Sequence, residues 1–270
     1  MSSRFHSVFA GLAALVATSA AQAGGLPHAL RVCADPDNLP YSHADGSGFE
    51  NRLAVLVAKD LALPIEFTWM PLRRGFVRKT AGEGLCDVFM GVPAGFERVL
   101  TTRPYYRSTY VFVSRTSPAL ASFDDPRLPT LHIGVQLIGN DLAATPAGHA
   151  LAAKGATANV EGFTIYGDRP ATQRLVEAIA AGRLDAGVAW GPQVAYFAKR
   201  AGVPMIIAPA RAPRDLAQLP FEFAIAIGVK RGEKDLRDAI DAVLAHRQGE
   251  IDALIAAYAV PRTDVGGGGS

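Results

Sequence analysis

The chain has 270 residues, of which 49% are hydrophobic and 19% are charged. This apolar content is enough to bury a core, so general disorder is excluded, and the length fits one large domain or two lobes of ordinary size. The formal net charge of +2 gives no indication of nucleic-acid binding.

The first 23 residues have the pattern of a signal peptide. Arg4 and His6 precede an apolar run over residues 8–20, and Ala21-Gln22-Ala23 has the small-x-small pattern that signal peptidase cleaves. We therefore expect export and cleavage after Ala23. A membrane anchor is the less favoured alternative, because the run is short and rich in alanine, and no later stretch has the composition of a membrane span.

Strands and helices alternate through the first half of the chain. Strands are predicted over residues 30–34, 65–70 and 87–92, an amphipathic helix over residues 49–61, and a basic helix beginning in residues 73–80. This β-α-β-α-β order predicts a parallel sheet with helices on both faces.

The second half repeats this order. Predicted strands cover residues 131–136, 163–166, 184–190 and 205–208, predicted helices cover 141–154 and 170–181, and one further helix separates the last two strands. A final apolar strand is predicted over residues 221–229, followed by helices over 234–246 and 251–258. An α/β fold is therefore expected throughout.

Residues 85–113 carry the most specific pattern. The strand over 87–92 leads to a glycine turn at Gly91, and a helical turn with Glu97 and Arg98 is predicted over residues 96–100. Pro104 is expected to end that helix before a new strand begins at residues 110–113.

This order resembles the lobe-one motif of periplasmic solute-binding proteins of the polar-amino-acid type. A narrower resemblance is to the MoxJ/XoxJ type, the binding-protein-like accessories of quinoprotein methanol dehydrogenases. It rests on the segments CADPDNLPYS, RRGFVRKT, CDVFMGVPAG, LTTRPYYRSTYVFV and VAWGP. It extends from about residue 30 to residue 261.

The resemblance implies a type II periplasmic-binding-protein-like fold, in which two α/β lobes are joined by a two-stranded hinge. Lobe one is then expected to contain residues 27–116 and 221–262, and lobe two residues 117–220. The two crossings are expected near residues 114–117 and 219–221. Residues 263–270 are expected to be a flexible tail, and the mature protein is expected in the periplasm.

In such a fold the ligand site is the cleft between the lobes, at the carboxyl ends of the strands. The residues expected to line it are Tyr41, Trp69, Arg73, Gly91, Arg98, Asn140 and Trp190. Arg98 is the strongest ligand candidate, since amino-acid-binding relatives keep an arginine there to hold the ligand carboxylate. It is otherwise a helix-surface arginine paired with Glu97 or Asp87.

Alternatives remain for the aromatic and basic residues. The aromatic side chains of Tyr41, Trp69, Tyr105, Tyr106 and Trp190 either line the cleft or pack in the core. A set of basic residues is either a solvated face or a docking patch for an acidic partner or anion. That set comprises Arg73, Arg74, Arg78, Lys79, Arg103 and Arg107.

Two positions depart from the amino-acid-binding pattern. Pro93 stands where such receptors place a small hydroxyl residue, and Trp190 stands near the position of the aspartate that holds the ligand ammonium. Proline offers neither a hydroxyl nor an N–H, and a buried indole does not neutralise an ammonium as a carboxylate does. We therefore expect free amino acids to bind poorly.

The chain has two cysteines, Cys33 and Cys86. For an exported protein a disulfide between them is the default expectation. The strand register argues against it, since parallel neighbours can hold the Cα atoms beyond the roughly 7 Å that a disulfide tolerates. Two buried free thiols are the alternative, and metal binding is disfavoured because no further ligand cluster or histidine spacing accompanies them.

The resemblance implies an accessory of a PQQ-dependent methanol dehydrogenase, of the lanthanide-using kind, that acts by contact with the enzyme and has no cofactor or catalytic activity of its own. The main alternative is a transport receptor for a small organic anion. A third, an enzyme on this scaffold, needs a carboxylate acid in the cleft, for which Asp35, Asp37 and Glu97 are the nearest candidates.

Overall fold

The computed structural model of the protein describes residues 25–115, 119–139, 145–167 and 169–263. The strands are β1 (Leu30–Ala34), β2 (Asp37–Asn38), β3 (Ser42–His43), β4 (Ile65–Trp69), β5 (Val88–Pro93), β6 (Leu100–Ser114), β7 (Ile133–Leu137), β8 (Val160–Thr164), β9 (Ala186–Trp190), β10 (Ile206–Pro209) and β11 (Glu222–Val229). The α-helices are α1 (Phe49–Asp60), α2 (Phe76–Lys79), α3 (Pro146–Ala153), α4 (Ala171–Ala180), α5 (Gly191–Ala198), α6 (Lys234–His246) and α7 (Gln248–Ala257). Short 3-10 turns lie at Ala81–Glu83, Leu128–Thr130 and Arg214–Leu216.

Several helices begin where the sequence supplies a cap. The Asn51 side chain accepts hydrogen bonds from the backbone N–H groups of Gly48 and His43 at the start of α1. Thr145 accepts from the Gly148 N–H at the start of α3, and Pro146 occupies the first helical position, where no N–H is needed. These caps satisfy N–H groups that have no partner within the helix.

Nine strands form one sheet in the order β4-β1-β5-β11-β6-β9-β7-β8, with β10 paired to β6. The fifteen-residue strand β6 runs through both lobes. Residues 100–109 of β6 pair antiparallel with β11, whereas Tyr110–Ser114 pair with β9 and β10. The type II periplasmic-binding-protein-like fold that the sequence predicts is the fold observed.

Each lobe has its own core. In lobe one, Phe49, Leu53 and Ile240 belong to a buried cluster that α1, α6 and α7 form against the sheet. Lobe two buries clusters on both faces of its sheet, one around Leu151 and another around Leu175. Burial of both faces fits a sheet whose centre is parallel, since β7 pairs parallel with β8 and β9.

The two chain crossings meet at one point. The backbone N–H of Tyr110 and the hydroxyl of Thr109 both donate to the carbonyl of Phe221, at 3.0 Å each. Here β6 also changes its pairing partners. The lobe limits predicted from the sequence remain a proposal. We propose that the hinge lies at Thr109–Tyr110 and Phe221. Residues 116–118, which include part of the crossing predicted near residues 114–117, lie outside the described residues.

Two local predictions were wrong. Residues 96–99 form turns instead of the predicted helical turn over 96–100, with Phe96 N–H donating to the Pro93 carbonyl and Val99 N–H to the Phe96 carbonyl, and Leu100 already begins β6. Pro104 does not end a helix but lies inside β6, where the register with β11 shifts between Ile225 and Ala226. A bulge needs no regular ladder bond, so the missing proline N–H costs little there.

Candidate functional site

The loop after β1 is held in place by the carboxylate of Asp35. One oxygen accepts from the Asp37 N–H at 2.9 Å and the other from the Leu72 N–H at 2.5 Å, which ties the loop to the segment after β4. The Ser42 hydroxyl donates to the Asp35 carbonyl at 2.8 Å. This fixes residues 35–43 at the carboxyl end of β1.

A buried carboxyl group, Glu50, lies behind this loop on the first turn of α1. Its Oε1 accepts a hydrogen bond from the Tyr105 hydroxyl at 2.8 Å, and only 6% of the residue is exposed. Burial, which disfavours the charged form, raises the pKa of Glu50 to about 7, against a smaller lowering by the Tyr105 hydrogen bond. Glu50 is not among the site residues predicted from the sequence. An acidic residue within the apolar face of α1 was the available signal.

Gly91 faces Glu50 from β5. Its φ is +68°, and a Cβ added there would come within 2.9 Å of Glu50 Oε2 and nearer still to Oε1. Both the backbone conformation and the space therefore require glycine.

Three tyrosines surround this carboxyl group. Burial raises the pKa of Tyr41, Tyr105 and Tyr106 well above the ordinary value, and the Glu50 charge adds to the effect. The Trp190 side chain acts the other way on Tyr41 and Tyr106, which places the indole beside their hydroxyls. The buried Tyr41 hydroxyl has no hydrogen-bond partner among the described residues.

A cavity of about 40 Å³ lies next to Glu50, lined among others by Asp35, Asn38, Phe67 and Met90. A cavity of this size holds on the order of one water molecule, since a water occupies about 30 Å³ in the liquid. All of the residues that line it belong to lobe one.

Trp190 joins this cluster from lobe two, where it ends β9. Its ring makes edge-to-face contacts with Tyr110 at 5.4 Å and Phe223 at 5.7 Å between centroids. Its backbone N–H donates to the Gln136 side chain at 3.1 Å. Trp190 thus packs against lobe one's core and fills space between the lobes.

A direct hydrogen bond joins the lobes beside Trp190. Gln193 is buried on α5, and its Nε2 donates to Asn38 Oδ1 at 3.0 Å across the interface. Its Oε1 accepts from Thr172 at 3.1 Å and from Gln136 at 3.3 Å. From the sequence, segments 35–41 and 190–193 are expected at the cleft because they follow strands, but neither Asn38 nor Gln193 has an individual role assigned. A lone polar side chain in the apolar segment GPQVAYFA was the signal for Gln193.

The remaining predicted cleft residues lie further out. The Arg73 guanidinium lies 5.9 Å from the ring centroid of Tyr166, an exposed residue of lobe two. Trp69 stacks on Phe67 at 5.1 Å on the edge strand β4. Asn140 lies outside the described residues.

Arg98 lies at the other end of the lobe-one sheet. Arg98 is exposed and lies two residues before Leu100. Both Leu100 and Val88, at the start of β5, pair with Val229 at the end of β11. Arg98 is therefore near the amino end of β5, away from the cleft. Asp87, a partner considered for Arg98, instead binds Arg31 at 2.7 Å. The structure therefore brings Tyr41, Gly91 and Trp190 around Glu50 but leaves Arg98 on a different face.

Cys33 and Cys86 form a disulfide, with Cα atoms 5.6 Å apart. Cys33 pairs with Phe89, only three residues beyond Cys86. The register objection raised from the sequence therefore does not apply.

Over the residues that the structure describes, no helix combines the length and the apolar composition needed to cross a membrane. Within the same residues no three His, Cys, Asp or Glu side chains are grouped so that they could hold a metal ion.

Residues 30–260 match the family described as bacterial extracellular solute-binding proteins, family 3. The chain belongs to this family. It is 33% identical to protein MoxJ of Methylorubrum extorquens over 91% of its length and 86% of that protein. It is 28% identical to protein MoxJ of Paracoccus denitrificans over 93% and 95% of the two chains.

Among solved structures of this kind, the periplasmic binding protein XoxJ from Methylobacterium extorquens AM1 has the same fold, with a TM-score of 0.71 and 32% identity. The match covers 86% of this chain and 98% of XoxJ. The family and the disulfide agree with an extracellular or periplasmic solute-binding protein of MoxJ type.

Proposed function

We propose that this family 3 protein is a periplasmic accessory of a PQQ-dependent methanol dehydrogenase and acts by contact with the enzyme. The similarity to MoxJ and XoxJ over most of the chain supports the proposal. So does the resemblance of its motifs to accessories of such enzymes. On this proposal residues 1–23 are a signal peptide cleaved after Ala23.

The observation that carries the proposal is the use of the interlobe face for contacts between the lobes. Trp190 packs into lobe one, and Gln193 binds Asn38 across the interface. A transport receptor needs this face free for its solute. Pro93 and Trp190, at positions where amino-acid receptors hold the ligand, support the same conclusion.

The test is a binding titration of the mature protein against purified methanol dehydrogenase, with a thermal-shift panel of small molecules on the same sample. We expect saturable binding to the enzyme and no shift with free amino acids. The similarity to MoxJ and to XoxJ is about equal, so the lanthanide assignment is tested by titrating a lanthanide-using and a lanthanide-independent enzyme in parallel. Absence of binding to either enzyme at low salt contradicts the proposal.

The second candidate is a transport receptor for a small organic anion, which membership of a solute-binding family favours. One clear, saturable thermal shift with an organic acid would support it. Because Arg98 lies away from the interlobe face, Arg98→Ala should leave such a shift unchanged.

We further propose that the protein is not an enzyme. The three carboxylates named from the sequence do not form one site: Asp35 and Asp37 are neighbours in the loop after β1, where both oxygens of Asp35 accept backbone N–H groups, whereas Glu97 adjoins Arg98 at the other end of the sheet. Turnover that is lost on replacing Asp35 would contradict this.

A further inference from the structure

A basic groove lies on lobe one beside the amino ends of β5 and β6 and the carboxyl end of β11. Its volume is about 610 Å³, and its lining includes Arg78, Arg98, Lys230 and Arg231, with Glu97 as the one carboxylate. The four cations come from three separate parts of the chain, so the fold assembles the groove. The concavity and the four basic residues that line it are together called the basic groove.

Several arginines outside the groove form ion pairs with a neighbouring carboxylate. Arg31 binds Asp87 at 2.7 Å, Arg103 binds Asp241 at 3.0 Å, and Arg247 binds Asp60 at 2.7 Å. The basic patch predicted from the sequence therefore divides, because Arg103 is neutralised by Asp241 and Arg107 lies 3.4 Å from Glu222.

The basic groove is different. Within the described ranges, none of its four cations forms an ion pair, and Arg231 donates only to the backbone carbonyl of Glu97. Arg78, Arg98 and Arg231 are exposed. Four like charges around one concavity repel each other and attract anions from solution.

The floor of the groove is apolar, with Val77 half-buried and Val99 buried. A combination of apolar floor and charged rim is typical of protein–protein contacts. The groove is concave, whereas a bilayer surface is flat, so its shape favours a protein segment over a membrane.

We propose that the basic groove docks an acidic surface segment of the partner protein, a proposal that rests on the function proposed above. The groove lies at the start of β5, whereas the interlobe contacts lie beyond its end, as the pairing of Val88 and Leu100 with Val229 shows. Docking there leaves the Gln193–Asn38 contact in place.

The test compares three double variants with the wild type in titrations against the dehydrogenase. Arg78→Glu with Arg98→Glu reverses two exposed cations of the groove. Arg78→Lys with Arg98→Lys keeps their charge. Lys199→Glu with Arg211→Glu makes the same change of net charge on exposed residues of lobe two. Thermal unfolding of each variant checks that it is folded.

We expect the groove reversal to weaken binding at least about tenfold, and the other two variants to stay within about threefold of the wild type. Raising the salt concentration should weaken wild-type binding much more than any residual binding of the groove reversal, because exposed charges are screened.

Each other outcome overturns the proposal in a recognisable way. If the folded Arg78→Glu, Arg98→Glu variant binds the enzyme with wild-type affinity, the groove is not the docking site, but the proposed accessory function is unaffected. An equal loss in the lobe-two control shows that only net charge matters. Absence of binding by the wild type removes both proposals. Binding of anionic vesicles that the groove reversal abolishes, with enzyme binding unchanged, assigns the groove to a membrane surface instead.

Discussion

Glu50 is the side chain whose environment has the clearest measurable consequence. It is buried next to Tyr105 and has a pKa of about 7, above the ordinary value of 4.5. The folded protein therefore keeps a proton over a pH range in which the unfolded chain has lost it. The free energy of unfolding should fall as pH rises from about 4.5 to about 7. Outside that range the contribution of Glu50 to stability should not depend on pH.

Comparison with Glu50→Gln isolates this effect, because the amide oxygen still accepts from Tyr105 and other titrating groups cancel. We expect the stability of the variant relative to the wild type to increase by about 3 kcal/mol across this pH range. Urea unfolding at several pH values measures the difference. A difference independent of pH means that Glu50 titrates normally.

Gly91 allows a second test at the same contact. Gly91→Ala should destabilise the protein by about 2–4 kcal/mol, because the new Cβ meets the Glu50 carboxylate and the backbone has φ +68°. Gly95→Ala is the matched control: its φ is +78°, but nothing lies within 4 Å of the new Cβ. It should cost only about 1 kcal/mol. Equal losses in the two variants would show that the Glu50 contact contributes nothing.

Among the elements, β1 and the segment before β5 are cross-linked by the Cys33–Cys86 disulfide, which encloses a chain separation of 53 residues. Replacing both buried cysteines by alanine should lower the free energy of unfolding by about 4 kcal/mol, mainly because the unfolded chain gains conformational entropy without the cross-link. Denaturant unfolding measures the loss, and dithiothreitol should not destabilise the variant further. If the reductant destabilises both proteins equally, the disulfide is not the cause.

Most elements could be predicted because their periodicity is local. α6 was predicted over 234–246 and is observed over Lys234–His246. Pro104 was misjudged, since the bulge that accommodates it depends on β11, which lies more than a hundred residues later. Arg98 was placed in the cleft by family motif, but the path of residues 94–99 back to the start of β6 depends on the sheet. Glu50 and Gln193 stand out locally as polar residues in apolar segments, but their partners Tyr105 and Asn38 are distant in sequence, so the local pattern does not predict those contacts.

At the scale of the whole molecule, Gln193 makes a polar contact between the lobes among the residues that the structure describes. It binds Asn38 across the interface and Thr172 and Gln136 within its own lobe. Removing a buried hydrogen-bonding side chain leaves its partners unsatisfied, at a cost of about 1–3 kcal/mol.

We therefore expect Gln193→Leu to speed amide hydrogen exchange in residues 36–44 by about tenfold, since the loop loses its lobe-two partner. Gln173→Leu is the matched control. Gln173 lies on α4 of the same lobe and bonds Glu177 on its own helix at 3.0 Å, away from the interface. Unchanged exchange in residues 36–44 of the Gln193 variant would show that the loop does not depend on lobe two.

The position of β11 in the sheet also sets an order of assembly. β11 lies between β5 and β6 and pairs with both, yet it follows them by more than a hundred residues. Until residues 222–229 arrive, β5 and β6 have open edges facing each other across a gap one strand wide. The first lobe therefore cannot close on a growing or partly exported chain. Its completion waits for the last strand, whereas β7, β8 and β9 of lobe two are by then already available to pair.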